Sequence, residues 1–500
     1  MNYSLIIVEI TAVLIGLGVL MTDLWISPAA RKGLGYAAAV AVGCLLAFAT
    51  GSLAPQHGLG FRDSFVVDDL ARFFKAFFLF GAIVVILMTV EFSSRIASGL
   101  SEFFALVIFA LVGMLFAASA NDLVLLFVSL ELITVTFYIL TSFQRNRLAS
   151  LEAGVKYLIL GAVASAFMVF GIALIFGSAN STNFRVIAAH QTELATSPVF
   201  LLGLLLVLAG LGFKIAAFPF QAWAPDVYQG SPAPATAFLA VGSKAAGFVL
   251  LIRLLTQAVP QITAEWSRLL VVMSAATIIY GSLCAIPQRN LKRLMGYSSI
   301  ANAGYLLLGI VAMSRSGSTA ILFYLGGYFF TVLAAFTAMS ALAEHIETDE
   351  IAGLAGLGRR SPFLAATLTL SLVSLAGIPP MVGFFGKVLL LRSVFESAPG
   401  RPDLYLLLGI AVIGVVISLY YYFGVIRSIY WGGSTPNLAP IRTSLGTKVA
   451  LGTCIAGMVF LGIAPNGYLR IAETAIGGID SAAGRLKSPA LKKVSAHEAH

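Results

Sequence analysis

Residues 201–225 read LLGLLLVLAGLGFKIAAFPFQAWAP, and this stretch indicates how the whole chain folds. Its apolar run matches the length of about 20 residues that a helix needs to cross a bilayer. It nevertheless contains Lys214 and then runs into Pro219 and Pro225. Proline removes a backbone donor and clashes with the preceding helical turn, so the helix must break here. A charge and a break in one span predict a membrane helix with a functional role.

The composition of the chain agrees with a membrane protein. Of 500 residues, 59% are hydrophobic and only 11% are charged. A typical soluble domain is about 45–50% apolar and about 25% charged, so a soluble enzyme is excluded. A disordered protein would need low hydrophobicity, and an outer-membrane barrel would show short alternating segments. The sequence therefore predicts an all-α polytopic membrane protein.

Fourteen apolar stretches are predicted to span the membrane, with three helices in residues 1–100, a core in 101–430, and the last helix and a tail in 431–500. The first stretch has no basic residues before it, so we expect a retained helix and not a cleaved signal peptide. The predicted spans are Leu5–Trp25, Leu34–Leu53, Phe73–Val90, Phe103–Ala118, Leu123–Phe143, Val155–Gly177, Val199–Phe218, Ala235–Gln257, Trp266–Ile286, Leu291–Ala312, Thr319–Ala343, Pro362–Val394, Leu404–Tyr430 and Val449–Pro465.

A second break is predicted in the twelfth span, at Pro379 and Pro380. The two breaks lie five elements apart and follow similar approaches, LAGLG at 208–212 and LAGI at 375–378. Paired interrupted helices indicate inverted repeats of about five helices, here about residues 103–257 and 266–430, with the site at the breaks. The alternative is two unrelated packing kinks.

The basic residues predict an orientation. The formal net charge is +9. Loops after odd-numbered spans, with their flanks, hold fourteen Lys and Arg, and loops after even-numbered spans hold nine, with Lys75 and Arg253 counted there. Since cytoplasmic loops collect positive charge, the odd loops, including Lys292, are expected in the cytoplasm and both termini outside. Glu9 and Asp23 lie near the ends of the first span, where their side chains can reach the interface.

Three lysines fall well inside predicted spans: Lys214, Lys244 and Lys387. Glu131 is the deepest acid, nine residues after Asp122, which is about 13 Å along a helix. A charge at mid-bilayer costs at least about 2.5–3.5 kcal/mol on insertion scales, so such groups face the bundle interior and find partners. Three lysines and a glutamate near two helix breaks favour ion conduction.

These charges predict a proton relay. Burial disfavours the charged form of a lysine and a nearby carboxylate favours it, so Lys214 beside Glu131 could gain or lose a proton when its partner moves. Lys244 would pass the proton inward and Lys387 would form the exit. Lysine suits this role because arginine stays charged. The alternative is that these groups are static ion pairs, or lysines that cap the carbonyls of the broken helices.

Polar side chains in the same spans could hold a water wire. Each of them alone is equally compatible with ordinary hydrogen bonding between helices. The candidates are Ser129, Thr134, Thr136, Gln221, Ser243, Ser298, Ser299 and Asn302.

The sequence offers no redox, nucleotide or metal site. It contains no Walker A sequence and no GxGxxG after a strand. Cys44, Cys284 and Cys454 show no CxxC spacing, so a cluster or structural zinc is not expected. Any pump in this chain would draw its energy from a membrane potential or from partners. The histidines all fall in predicted loops or in the tail, at His57, His190, His345, His497 and His500.

Several motifs together resemble the antiporter-like membrane subunits of respiratory complex I, the NADH-quinone oxidoreductase. The stretch DVYQGSP at 226–232 is similar to the subunit N branch of this family more than to its sister subunits. The matching stretches are FVSLEL at 127–132, EAGVKYLILG at 152–161, PDVYQGSP at 225–232, GSKAAGF at 242–248, NLKRLMGYSSI at 290–300 and GIPPMVGFFGK at 377–387.

This resemblance implies fourteen helices with inverted repeats at helices 4–8 and 9–13. It implies a translocase subunit in a bacterial inner membrane, beside neighbouring antiporter-like and small membrane subunits. NADH and a quinone such as ubiquinone would react in other subunits that hold FMN and iron–sulfur clusters, with no cofactor and no nucleic acid bound here. Glu131 and Lys214 would form the modulating pair, Lys244 the central relay and Lys387 the terminal relay.

Two positions depart from the family pattern. The family often has histidine where this chain has Gln221 and Asn302, and neither amide carries charge near pH 7. Two alternatives stay open, the first because of these departures and the second because proteins of other function share the fold. The chain could be a structural subunit with reduced conduction. It could also be a cation/proton antiporter or membrane hydrogenase subunit of the same fold.

Overall fold

The structure is a computed structural model that describes residues 3–343, 345, 348–432, 440–441 and 443–484. Several basic residues and histidines that the sequence placed in a loop or the tail lie outside these ranges. They are Arg442, Arg485, Lys487, Lys492, Lys493, His497 and His500.

The described part of the chain is almost entirely helical, with one short antiparallel hairpin, β1 Gly58–Gly60 and β2 Phe65–Val67. The helices are α1 Ile7–Asp23, α2 Arg31–Thr50, α3 Asp69–Glu91, α4 Leu100–Ala118, α5 Leu123–Thr141, α6 Leu148–Ala179, α7 Phe184–Ala189, α8 Gln191–Leu194, α9 Pro198–Ile215, α10 Trp223–Gly230, α11 Ala233–Phe238, α12 Lys244–Arg253, α13 Pro260–Glu265, α14 Ser267–Ala285, α15 Leu291–Val311, α16 Arg315–Ala343, α17 Leu357–Arg360, α18 Pro362–Ala376, α19 Val382–Glu396, α20 Pro402–Trp431, α21 Leu445–Ile463 and α22 Pro465–Gly484.

The prediction of an all-α polytopic membrane protein is confirmed. Within the described ranges, 13 helices are long and apolar enough to cross a membrane. The predicted twelfth span consists of two shorter helices, α18 and α19. We call the side where α3, α5 and α14 end the odd face, and the opposite side the even face. The amphipathic α22 follows α21 on the even face and packs on α3 and α16.

The first break lies between α9 and α10, where the sequence predicted it. Ala216 caps α9 in the left-handed conformation, with φ 59°. The breaks leave carbonyls without helical partners, and such groups must be satisfied inside a membrane. The Gly212 carbonyl accepts from the amide of Ala217 at 2.8 Å, and the Phe213 carbonyl accepts from the Trp223 indole at 2.9 Å. The break is therefore hydrogen-bonded within the protein.

The second break lies between α18 and α19. Gly377 caps α18 with φ +83°, a conformation that favours glycine. The eighth span is different, since α11 and α12 form one continuous helix, Ala233–Ala258, with π-helical turns at Leu239–Ser243 and Leu254–Ala258. The first π turn ends directly before Lys244. Such turns are frequent at functional sites.

Two expectations about charged residues were wrong. Glu9 does not reach the interface, because its side chain is fully buried and pairs with Lys75 at 2.7 Å. Arg253 is not a loop residue, because its side chain has no exposed surface at the end of α12. Its guanidinium donates to both carboxylate oxygens of Asp68, at 3.0 and 2.7 Å, and to the Ala118 carbonyl at 2.9 Å. The first pair ties α1 to α3, and the second ties the start of α3 to α12 in the core.

Candidate proton-relay site

Lys214 is the penultimate residue of α9, immediately before the first break, and its side chain is buried. Its Nζ donates to Thr134 Oγ1 on α5 at 2.8 Å. Glu131 lies one turn before Thr134, and its Oε1 accepts from Ser165 on α6 at 2.5 Å. Glu131 is half-buried, and its carboxylate contacts Ser165 whereas Lys214 contacts Thr134, so the two do not form an ion pair. The expected pair is therefore indirect: Lys214 bonds Thr134, which lies one turn of α5 after Glu131.

Lys214 and Lys244 lie on two helices, α9 and α12, that approach each other closely. Gly247 lies one turn after Lys244, and a Cβ built on it would be 3.4 Å from Cγ of Lys214. The same atom would lie 2.7 Å from Cγ2 of Ile215, so only glycine lets α12 approach α9 this closely. The two lysines therefore flank one contact between these helices.

Lys244 binds a single residue of α15. Its Nζ donates to the Ser299 carbonyl at 2.5 Å and also to the Ser299 hydroxyl. That hydroxyl is also within 2.8 Å of the Tyr228 hydroxyl and accepts from Tyr328 at 3.0 Å. A serine hydroxyl has one donor and two acceptor sites, so these three partners use its full capacity. Ser299 is thus the hub of a buried polar cluster.

The cluster continues along α15 through Ser298 and Asn302. Ser298 Oγ lies 2.5 Å from the Tyr422 hydroxyl and accepts from Asn302 Nδ2 at 3.3 Å. Asn302 Oδ1 accepts from Tyr324 at 2.5 Å. All of these side chains are buried. The amide of Asn302 therefore joins the hydroxyls of Ser298 and Tyr324.

Lys387 on α19 ends this line of polar groups. Its Nζ donates to the carbonyls of Leu375 at 2.7 Å and Ala376 at 3.3 Å, which are the last carbonyls of α18. The same Nζ lies 4.8 Å from the ring centre of Tyr305 on α15. Since Ser298, Asn302 and Tyr305 follow at i, i+4 and i+7, they share one face of α15 that leads from the Lys244 cluster to Lys387.

The structure does not join every predicted wire residue to these lysines. Among the described residues, the hydroxyls of Ser129 and Thr136 donate only to carbonyls of their own helix, at 2.9 and 2.6 Å. The Ser243 hydroxyl and the Gln221 carbonyl oxygen are buried without a hydrogen-bond partner among the described residues. Pro219 lies in the first break, whereas Pro225 lies inside α10.

A charged cluster anchors α10 at the odd face. Asp226 accepts from Lys156 on α6 at 2.8 Å and from Arg293 on α15 at 2.5 Å. Lys156 also pairs with Glu152 at 2.6 Å, and Arg293 donates to Gln229 at 3.0 Å. The motif residues Asp226 and Gln229 therefore hold the short helix after the first break against its neighbours.

Sequence reasoning missed several buried charges and all the tyrosine partners. Lys75, Arg253 and Lys292 lie inside their own predicted spans, and this position was the available signal. Lys292 is buried and pairs with Asp349 at 3.0 Å. The DVYQGSP stretch contains Tyr228, but its contact with Ser299 could not be predicted, because the two residues are 71 positions apart.

The arrangement can accept and donate protons. Three buried lysines, hydroxyls and an amide are donors and acceptors for protons. Among the residues that the structure describes, no three His, Cys, Asp or Glu side chains gather as a metal site. The cysteines Cys44, Cys284 and Cys454 are free.

Comparison with known proteins identifies the relatives of this chain. Residues 120–418 match the family model described as NADH:quinone oxidoreductase/Mrp antiporter, TM. NADH-quinone oxidoreductase subunit N of Moorella thermoacetica is 39% identical over 468 residues, which cover 93% of this chain and 96% of that protein.

Solved structures show the same fold. A chain of respiratory complex I from Thermus thermophilus is 30% identical, with a TM-score of 0.75, and the match covers 93% of this chain and 100% of that one. A chain of the Mrp complex from a Dietzia species is 19% identical with a TM-score of 0.80, covering 96% and 98%. At that identity the second likeness concerns the fold alone.

Proposed function

Since the chain belongs to the NADH:quinone oxidoreductase/Mrp antiporter membrane family, we propose that it is a membrane subunit, of the subunit N type, in a proton-pumping NADH:quinone oxidoreductase. In this proposal the complex couples electron transfer from NADH to a quinone, in other subunits, to proton translocation through this chain. FMN and iron–sulfur clusters would belong to those partners. The chain would sit in a bacterial inner membrane with both termini on the periplasmic side.

One observation carries the proposal: three lysines at two helix breaks and a π turn are buried and joined by polar groups. Lys214, Lys244 and Lys387 each have only 3–4% of their surface exposed. Intramembrane charges are expensive and usually mark ion pathways. Within residues 101–430, the proposed antiporter-like core, these lysines follow one another from α9 through α12 and α15 to α19.

The proposed transfer proceeds in three steps. Glu131 sets the charge on Lys214 through the α5 turn that carries Thr134, because a carboxylate favours the protonated amine. The proton crosses the close contact at Gly247 to Lys244. From Lys244 it moves through the Ser299 hydroxyl and the Ser298–Asn302 pair toward Lys387.

Asn302 and Gln221 do not carry charge in this mechanism. An amide can donate and accept at once but does not titrate near pH 7. Asn302 bonds both the Ser298 and Tyr324 hydroxyls, so its role is to orient the hydrogen-bonded line. The moving charge then resides on the lysines.

The test uses membrane vesicles that contain the whole complex. Lys214→Ala and Lys387→Ala should abolish proton pumping driven by NADH, while the complex still assembles. Arg392→Ala is the matched control, because its side chain is 70% exposed and, among the described residues, pairs only with Glu396 within its own helix. Unchanged pumping in the two lysine variants would contradict the assigned roles.

A specific observation favours a second candidate, a structural subunit. Lys387 caps the last carbonyls of α18 and Lys244 caps the Ser299 carbonyl, as static lysines would. This candidate predicts that the alanine variants pump normally once assembled, whereas deletion of the whole chain breaks the complex. Co-purification of the chain with membrane subunits alone, without flavin and iron–sulfur subunits, would instead indicate an antiporter.

A further inference from the structure

A large open groove lies on the flank of the bundle at the odd face. It has a volume of about 1090 Å³ and runs between α20 and the loop that joins α14 to α15. Neither the relay nor the two helix breaks contribute to its walls. The groove is therefore separate from the proposed proton route.

Two arginines stand at the odd end of this groove. Arg289 comes from the loop before α15, and Arg427 from the last turns of α20. Both side chains are exposed, and neither has a hydrogen bond or ion pair within the described part of the chain. Glu350 is the one acidic side chain among the lining residues, so the groove keeps an excess of positive charge. A guanidinium without a protein anion is suited to bind phosphate oxygens in pairs.

The wall below the arginines is apolar and aromatic. Tyr420 is 71% exposed and Phe423 is 49% exposed on the groove side of α20. Trp431 is 75% exposed at the rim, the level at which tryptophan anchors helices at the membrane interface. From Tyr420 to Trp431 the helix rises about 16 Å, which is close to half of the roughly 30 Å hydrocarbon core.

From this combination we propose that the groove binds one phospholipid. The phosphate of its headgroup lies between Arg289 and Arg427, and an acyl chain follows Tyr420 and Phe423 through one leaflet. An anionic headgroup is preferred over a zwitterionic one, because two guanidiniums face a single carboxylate and an additional ammonium would be repelled. Basic pockets beside membrane helices bind anionic headgroups by this chemistry.

Photolabelling of the purified whole complex tests the proposal. Phosphatidylglycerol that carries a diazirine in its acyl chain should label the peptide around residues 419–431, and phosphatidylcholine with the same chain should label it less. The double variant Arg289→Gln/Arg427→Gln should lower the labelling at least roughly tenfold, since the loss of even one charge-assisted contact corresponds to about that factor in affinity. The control Arg145→Gln/Arg359→Gln removes two exposed positive charges from the same face outside the groove, and it should keep full labelling.

Three results would overturn the proposal. Labelling that is equal for both lipids would remove the anionic preference. Labelling that survives the double variant would remove the role of the arginines. If the lipid gave no label and a cross-linker placed at residue 423 reacted with a neighbouring subunit instead, a protein would fill the groove. Proton pumping is not part of this readout, so the outcome is independent of the proposed relay.

Discussion

Two threonines on α5 provide a matched pair that tests the contact with Lys214. Thr134 and Thr136 are both buried. Each hydroxyl donates a hydrogen bond to the carbonyl four residues before it, at 2.6 Å. Only Thr134 also accepts from Lys214. Thr→Val keeps the shape and removes the hydroxyl, so the two substitutions differ in this one contact.

The structure gives the expected size of the effect. A hydrogen bond to a charged group contributes about 1.5–3 kcal/mol, and about 1.4 kcal/mol corresponds to a factor of ten. Thr134→Val should therefore slow NADH-driven proton pumping in vesicles by roughly tenfold or more, if Lys214 carries the proton. Thr136→Val should leave the rate within about twofold, because it loses only a bond within its own helix. Assembly is checked by the yield of the purified complex.

Equal effects of the two valine variants would refute the reasoning. If both pump normally, the Thr134 contact does not control Lys214. If both lose pumping to the same degree, the loss reflects damage to α5 and not the contact.

Three further predictions follow from the same site. Ser299→Ala should reduce pumping at least as strongly as Thr134→Val, because it removes the hydroxyl partner of Lys244, and pumping equal to wild type would exclude Ser299 from the route. Gly377→Ala should lower both the yield and the pumping of the complex, since a Cβ at φ +83° is strained and would lie 3.1 Å from Cδ of Lys387; normal pumping would show that the break tolerates a side chain. Asp226→Asn should lower the melting temperature of the complex, because two cations lose their carboxylate, and an unchanged melting temperature would show that these surface pairs contribute nothing.

The sequence predicted the spans and both breaks because their signals are local. A long apolar run or a proline can be recognised within a single segment. In the structure, helices end beside the prolines at 219 and 379–380. Lys214, Lys244 and Lys387 were recognisable for the same reason, as charges inside apolar runs.

The partners of these charges could not be predicted, because they depend on contacts between distant segments. Lys214 meets Thr134 across 80 positions, and Arg253 meets Asp68 across 185. No residue pattern distinguishes Ser299, a hub with four contacts, from Ser129, which bonds only its own helix. Packing of the helices decides which of two similar serines contacts a buried lysine.

The most direct test of the central claim is proton pumping by the Lys387→Gln variant. A glutamine amide can still donate to the Leu375 and Ala376 carbonyls, but it cannot carry a proton as a charge. The relay predicts an assembled complex whose NADH-driven pumping through this chain is lost. Pumping at the wild-type rate in an assembled Lys387→Gln complex would contradict the relay and leave Lys387 as a cap on a broken helix.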